Sequence, residues 1–401
     1  MAIRQHDIRT ENQRLVIEQL RRHGMLTRSG VVEQTGLTVP TVSAIFRELQ
    51  ERSLIKPADR SVTTGGRRAE AFCLNGEANR ALAVHVGVHD LTWAVVDLAG
   101  KVLHKEVVGA ARFRGGMFVT HLRNTINAAL KHCREQGFNL QGIGISFPGV
   151  VDQENRITLA PNIGGEGVVL ADLVEDGVGL PVHIDNDARL GALAEIWWRA
   201  SQPEQTIAFL MVDYGVGVGL AMDGRVHAGK NFAAGDIGHA VVDPRGERCA
   251  CGQFGCLETF ISYSALVRRI NDQIRLGRPT VLLPAGAAEP QMESLSQIMD
   301  AAQAGDDVAA EAIREAGRYL AIAVSMLNVI IAPDVVYIGG AFSRVYDLLV
   351  EAMQPILHHR GPELHRQGLR IEPAVFLADT SLMGAAALVF EHRLGGSNKK
   401  G

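Results

Sequence analysis

The residues best suited to chemistry are gathered in one stretch, Ala234 to Glu258, reading AGDIGHAVVDPRGERCACGQFGCLE. It places His239 ahead of Cys249, Cys251 and Cys256, with Asp236 and Glu258 toward its two ends. Three thiols and an imidazole are the donor set that tetrahedral zinc takes, at about 2.0–2.3 Å once the thiols are deprotonated. Four protein ligands close the shell and leave no position for water. The ion expected is therefore a structural Zn2+ that clamps a loop, not the centre of a metallohydrolase. The bland alternative is a group of ordinary reduced cysteines. It fits poorly, because the chain has 5 Cys and three of them fall between 249 and 256, beside Gly252 and Gly255.

Two further stretches carry polar groups at places where ligands bind. Val182 to Asp187, VHIDND, is an apolar strand that ends in Asp185, Asn186 and Asp187, and open α/β sheets bind ligands at the carboxyl ends of their strands. Residues 206–222, TIAFLMVDYGVGVGLAM, form an apolar stretch with glycines at 215, 217 and 219; alone, that spacing marks strand packing as readily as a phosphate loop.

The elements that position these groups follow from patterning. Residues 12–23 place Leu15, Val16, Gln19 and Leu20 at helical spacing and stop at Gly24. Thr27 can cap a short helix over 28–35, Gly36 supplies a tight turn, and Thr38 caps a second helix whose Val42, Ile45, Phe46 and Leu49 form one apolar stripe. This is the grammar of a helix-turn-helix. Burying the stripe turns Pro40, Thr41, Ser43, Ala44 and Arg47 outward, short and polar enough to enter a major groove. Residues 54–56 and 71–74 read as strands around a polar tip, SVTTGGRRAE, a wing whose Arg67 and Arg68 suit phosphates or a narrow minor groove. From residue 81 strands alternate with helices: strands over 81–88, 92–97 and 335–340, helices over 117–136, 188–198, 259–275 and 294–330 with a break near Gly305, and a last helix over 382–394.

Composition sets the bounds. With 401 residues, 47% hydrophobic and 21% charged, the chain can bury two or three full cores. The polar first residues and the lack of any apolar run of about 18 residues predict no signal peptide, no membrane span and a cytoplasmic location, and the few, clustered cysteines agree with a reducing compartment. The net charge of −4 is uneven: residues 1–80 hold 13 Lys+Arg against 9 Asp+Glu, a balance of +4, which leaves 27 against 35, or −8, for the rest. A basic head on an acidic body suggests that only the head meets a polyanion, here double-stranded DNA.

The order of these motifs resembles the ROK family, which groups bacterial sugar repressors with sugar kinases, over essentially the whole chain. Residues 10–76 resemble the winged helix-turn-helix of the repressor branch, and GHAVVDPRGERCACGQFGCLE matches the family's zinc signature. The resemblance implies an α/β fold: an N-terminal winged helix-turn-helix (1–76) followed by a two-lobed actin-like (hexokinase-like) ATPase fold. It implies a small lobe over 80–190 with the C-terminal helix 382–396, and a large lobe over 191–381 with the zinc loop 234–258. It also implies a sugar cleft between the lobes lined by Asn186, Asp187, Asp236, His239 and Glu258, with a further contact from Asn162. The family usually has Glu where Asp236 stands, which shifts the expected sugar preference. Carboxylates and amides suit vicinal hydroxyls because a wrong sugar leaves them unpaired.

Kinase members open with DxGGTxxxxxxxDxxG and carry a GTG loop. Here His85, Gly87, Val88 and His89 stand in the first motif, with Asp97 and Gly100 retained, and Val216 replaces the threonine of the second. Phosphoryl transfer depends on placing metal and phosphates, so the losses at His85, His89 and Val216 predict a non-enzyme, with Asp187 left at the family's general-base position. The expectation is a homo-oligomeric (dimer or tetramer) repressor of carbohydrate genes that answers to a sugar or sugar phosphate. An ATP-dependent sugar kinase, possibly bifunctional, is the rival, and an activator is a variant of the first.

Overall fold

The chain is described by a computed structural model over residues 5–59, 62–64, 67–109, 116–160, 163, 167–169, 179–199, 206–283, 290, 292, 294–359 and 368–394. The head opens with α1 (Gln5–His23), β1 (Met25–Thr27), α2 (Arg28–Thr35) and α3 (Val39–Glu51), then β2 (Ile55–Pro57), β3 (Val62–Thr64), β4 (Arg67–Ala69) and β5 (Ala71–Leu74). The first helix starts seven residues before the periodic stretch that predicts it, because its first turns are polar and give no apolar signal. The Thr27 Oγ1 accepts the Gly30 N–H at 3.0 Å, and Gly36, at φ 68, closes α2 in the left-handed conformation. Thr38 caps α3 through the Thr41 N–H, with proline in the first turn, where a missing N–H costs nothing.

Val42, Ile45, Phe46 and Leu49 are buried against Val16, Ile17, Leu20 and Phe72, and Phe46 meets Phe72 edge-on at 5.0 Å between ring centroids. Strands β1, β5 and β2 form one antiparallel sheet. The tip between β2 and β5, read from sequence as polar connection, carries its own hairpin: Val62 pairs with Ala69 and Thr64 with Arg67. Gly65 and Gly66 at its turn lie outside the described residues.

The body begins with β6 (Arg80–Val86), β7 (Asp90–Asp97), β8 (Val102–Gly109), α4 (Gly116–Glu135), β9 (Leu140–Phe147), β10 (Val150–Val151), β11 (Ile157–Leu159) and β12 (Val182–Asn186). Then follow α5 (Asp187–Trp198), β13 (Thr206–Val212), β14 (Val216–Met222), β15 (Arg225–His227), α6 (Glu258–Ile261), α7 (Tyr263–Arg275), α8 (Leu295–Gln303), α9 (Asp307–Ile331), β16 (Val335–Gly339), α10 (Tyr346–His359), β17 (Arg370–Pro373) and α11 (Thr380–Arg393). The apolar stretch 206–222 is thus two strands folded on each other, since Asp213-Tyr214-Gly215 turns the chain. The helix expected over 259–275 is interrupted at Ser262.

Two five-stranded sheets form the core, ordered β12-β9-β6-β7-β8 and β15-β14-β13-β16-β17. Both are built the same way, with three consecutive antiparallel strands followed by two parallel ones on the far side of the first. This repeated topology is the two-lobed actin-like fold. Phe118, Leu122 and Ile126 of α4 cover one face of the first sheet, and α7 to α10 cover the second. Helices α5 and α11 are buried nearly all round and fill the space between the sheets.

Candidate functional site

The metal candidate forms from a loop that turns back on itself. The Val242 N–H donates to the Gly255 carbonyl at 2.9 Å, Gly255 N–H to Glu247 at 2.8 Å, and Cys249 N–H to Gln253 at 2.8 Å. A side chain at Gly255 would meet the Asp243 carbonyl oxygen at 1.5 Å, so only glycine fits there. The ligand atoms of His239, Cys249, Cys251 and Cys256 all lie within 4.8 Å of one another, and this is the one such cluster among the described residues. Cys251 Sγ is 3.7 Å from Cys256 Sγ, and Cys249 Sγ is 3.6 Å from His239 Nδ1. A zinc tetrahedron with Zn–S near 2.3 Å and Zn–N near 2.0 Å has S···S edges of about 3.8 Å and N···S edges of about 3.5 Å. The donor set therefore fits such an ion in both chemistry and spacing. Cys249 and Cys256 are buried and Cys251 is exposed.

Next to this loop lie the groups expected to line the cleft. His239 ends a short 3-10 turn, Ile237–His239, which Asp236 precedes, and Glu258 opens α6. Burial raises the Glu258 carboxyl above its usual range; the neighbouring His239 and the Val216 N–H pull it down, and Asp236 pushes it up. The fold thus brings Asp236, His239 and Glu258 together beside Val216, at the start of β14. Asp236 is exposed and the other two are half-buried.

Asn186 and Asp187 stand at the junction of β12 and α5. The Asn186 Oδ1 accepts the Ala188 N–H at 3.0 Å and the Arg189 N–H at 3.1 Å, while its Nδ2 donates to the Gly149 carbonyl at 3.0 Å. Most of its amide is spent as the helix cap, and its side chain also hydrogen-bonds the Asp187 carboxylate. Asp185 is committed as well, since it pairs with the buried Arg189, whose Nε donates to it at 2.7 Å. Asp187 is the freer group: its Oδ1 accepts the Ala188 N–H at 2.8 Å, and burial pushes its carboxyl up to about 6. Asn162 lies outside the described residues.

One cleft residue is absent from the sequence reading. Asp213 follows the last residue of β13; burial first, and then the charges of Asp187 and Asp90, push it up to about 7. It was legible as an acid directly after the apolar run TIAFLMV, the same strand-end placement that marks Asp185 to Asp187. Beside it the His89 ring meets Tyr214 at 4.6 Å between centroids.

Residues at the positions where phosphate motifs were expected to be altered make local contacts. His85 Nδ1 lies 3.0 Å from Ser146 Oγ, and burial lowers its pKa below the ordinary imidazole value. Asp97 accepts the N–H groups of Ala99 and Lys101, both at 2.9 Å, and so builds the turn before β8.

On the head, Pro40, Ala44 and Arg47 are exposed and Thr41 and Ser43 half-exposed on the side of α3 away from the core. Thr38 is exposed but its hydroxyl is engaged in the cap, 2.8 Å from Thr41 Oγ1. Arg67 and Arg68 open β4.

Comparison with known proteins agrees with this arrangement. The model of the ROK family matches residues 81–392. The chain is 31% identical over 390 residues to the "DNA-binding transcriptional dual regulator NagC" of Escherichia coli strain K12, covering 96% of this chain and 93% of that protein. It is 26% identical to the xylose repressor of Caldicellulosiruptor bescii, with 96% of each chain covered. Among solved structures it is similar to a ROK family transcriptional regulator described as a homolog of the E. coli MLC protein, at 26% identity and a TM-score of 0.79, with 97% of this chain and 98% of that chain covered. A ROK family glucokinase from Streptomyces griseus, solved with glucose and AMPPNP, is 28% identical at a TM-score of 0.69 and covers 77% of this chain and 98% of its own.

Proposed function

The chain belongs to the ROK family, and we propose that it is a cytoplasmic, sugar-responsive transcriptional repressor of carbohydrate uptake or catabolism genes. The observation that carries this reading is the joining, in one chain, of a head with a short-side-chain helix face to a cleft rich in hydroxyl-binding groups. The similarity to regulators over 96% of the chain, head included, supports it. In this reading α3 enters the major groove with Pro40, Thr41, Ser43, Ala44 and Arg47, and Thr38 sets the helix start. Arg67 and Arg68 on the β3–β4 hairpin meet the backbone or minor groove. Two heads of a homo-oligomer, dimer or tetramer, bind half-sites about 34 Å apart.

The effector is a sugar or sugar phosphate held by Asp187, Asp236, His239 and Glu258, with Asn162 and Asn186. A Zn2+ ion held by His239, Cys249, Cys251 and Cys256 would supply a fixed closed-shell centre. His239, whose Nδ1 faces Cys249, leaves its other nitrogen for the cleft, and Glu258 is held by the Val216 N–H. The sugar changes DNA affinity only by binding one arrangement of lobes and heads better than another.

One observation favours a second reading, an ATP-dependent sugar kinase: Asp187, pushed up to about 6, lies near the range a general base needs at neutral pH. A thermal-shift screen of the intact protein with hexoses, pentoses, N-acetylhexosamines and their 6-phosphates tests the sensor, because a native-state ligand raises the melting temperature by mass action. One sugar class should stabilise the protein, and Glu258→Gln should abolish the shift. No response across the panel contradicts the sensor. ADP release that depends on sugar and is lost in Asp187→Asn selects the kinase instead.

A further inference from the structure

The effector cleft and the head lie at opposite ends of the same two helices. Helix α5 begins in the cleft, where Asn186 caps it and Asp187 is its first residue, and its last turn carries Ile196 and Trp197. Helix α11 begins beside it, with the Ser381 Oγ donating to the Asp187 carbonyl at 2.8 Å, and ends at Glu391, His392 and Arg393. At 12 and 14 residues they run about 18 and 21 Å. Between their ends the backbones touch: a side chain at Gly384 would meet the Leu190 carbonyl oxygen at 1.9 Å. Two all-round buried helices in backbone contact move as one body, because close-packed interiors transmit displacement instead of absorbing it.

The far end of this pair is where α1 of the head is fastened. The Glu391 Oε1 accepts from Arg14 Nη2 of α1 at 2.8 Å and from Trp197 Nε1 of α5 at 3.0 Å, in a setting that leaves Glu391 only 6% exposed. The same Arg14 nitrogen donates to the Gly224 carbonyl at 2.8 Å, so β14–β15 joins the contact. Arg21 donates to the Ile196 carbonyl at 2.8 Å and lies 5.0 Å over the Trp197 ring, and Arg52, after α3, donates to the Arg393 carbonyl. Inside the head, Val16, Ile17 and Leu20 of α1 share a core with Ile45, Phe46 and Leu49 of α3, so whatever tilts α1 carries the DNA-reading helix with it.

We propose that Glu391 is the positioning residue that couples effector to operator: its one carboxylate oxygen ties head, α5 and α11 into a joint, and a shift at the Asn186–Asp187 end reaches α3 through it. This rests on the sugar-responsive regulator reading above. A buried carboxylate with two charged or aromatic N–H donors from different elements suits the role, since its geometry is fixed only while all three parts keep their places.

The test uses the full chain, wild type, Glu391→Gln and Trp197→Phe, with the stabilising sugar from the screen. Operator affinity is measured with and without saturating sugar, and sugar affinity with and without operator. Both variants should keep the unliganded sugar Kd and the sugar-free operator Kd within about threefold of wild type. The factor by which sugar changes operator affinity should fall to within about twofold of one, and by reciprocity of linked equilibria the effect of DNA on sugar affinity must fall by the same factor. A purely structural role would lower the melting temperature and leave that factor untouched. If Glu391→Gln does not fold, Trp197→Phe, which removes the Nε1 donor together with the part of the buried indole that carries it, decides. Wild-type coupling in a folded variant overturns the joint. A wild-type protein without any sugar effect on operator binding contradicts the regulator reading itself.

Discussion

At the scale of the residue, the cysteine loop was the plainest feature in the sequence, because ligand type and spacing are written in the chain. What the sequence could not give was which other acids lie near Asp187. Asp213 lies 45 positions before Glu258 and joins the cleft only because β13 and β14 fold back on one another. Asn186, expected from the sequence as a sugar contact, has a second role that the sequence reading did not include, as the cap of the helix that follows. Cys251→Ser should lose the bound metal, measured by mass spectrometry. Because Cys251 is exposed, the chain should still fold and bind operator, but the effector-induced change in operator affinity should vanish; a normal sugar response would contradict the clamp. Asp213 makes a pH prediction. Its folded pKa of about 7 lies above the ordinary 3.8, so folding takes up a proton between those values. Its contribution is fully present below about pH 4 and is lost as pH rises through about 7. Asp213→Asn should therefore stabilise the protein at pH 8, by of order 1 kcal/mol once its partial exposure is allowed for. The gain should shrink at pH 5. A larger gain at pH 5 than at pH 8, by denaturant titration, would show the sign to be wrong.

At the scale of the element, the head was legible nearly residue by residue, because caps, turn glycine and apolar stripe are all local signals. Thr27, Gly36 and Thr38 do in the structure what their types and positions predict. The hairpin within the wing was not visible, as its strands are three residues each and polar. Nor was β17, whose RIEP run has no alternation and is recognisable only by its parallel partner β16. Thr38→Ala removes the cap of α3 and should cost about 1 kcal/mol of head stability, with a matching loss of operator affinity as the first turn frays. Arg47→Ala removes an exposed guanidinium that no core contact needs, and should weaken operator binding about tenfold. The sugar-induced thermal shift should stay as in wild type. An unchanged footprint takes Arg47 out of the interface.

At the scale of the whole molecule, the sequence points to two lobes only through resemblance; the structure gives the physical reason in the repeated sheet order. That repeat depends on parallel pairings such as β13 with β16, between segments more than a hundred residues apart, which no local pattern announces. The fastening of head to body is more distant still, since Arg14 and Glu391 are 377 positions apart. No helix among the described residues is long and apolar enough to cross a membrane. The central claim is that a sugar in the body governs DNA affinity in the head, and it is tested most directly by fluorescence-anisotropy titration of the intact protein onto its own promoter DNA, with and without the stabilising sugar, across a salt series. Three arginines per head in a dimer predict sequence-selective binding with a log–log salt slope of about −5, and an affinity that changes at least fivefold when sugar is added. Binding that ignores DNA sequence, or selective binding that sugar leaves unchanged, would contradict it.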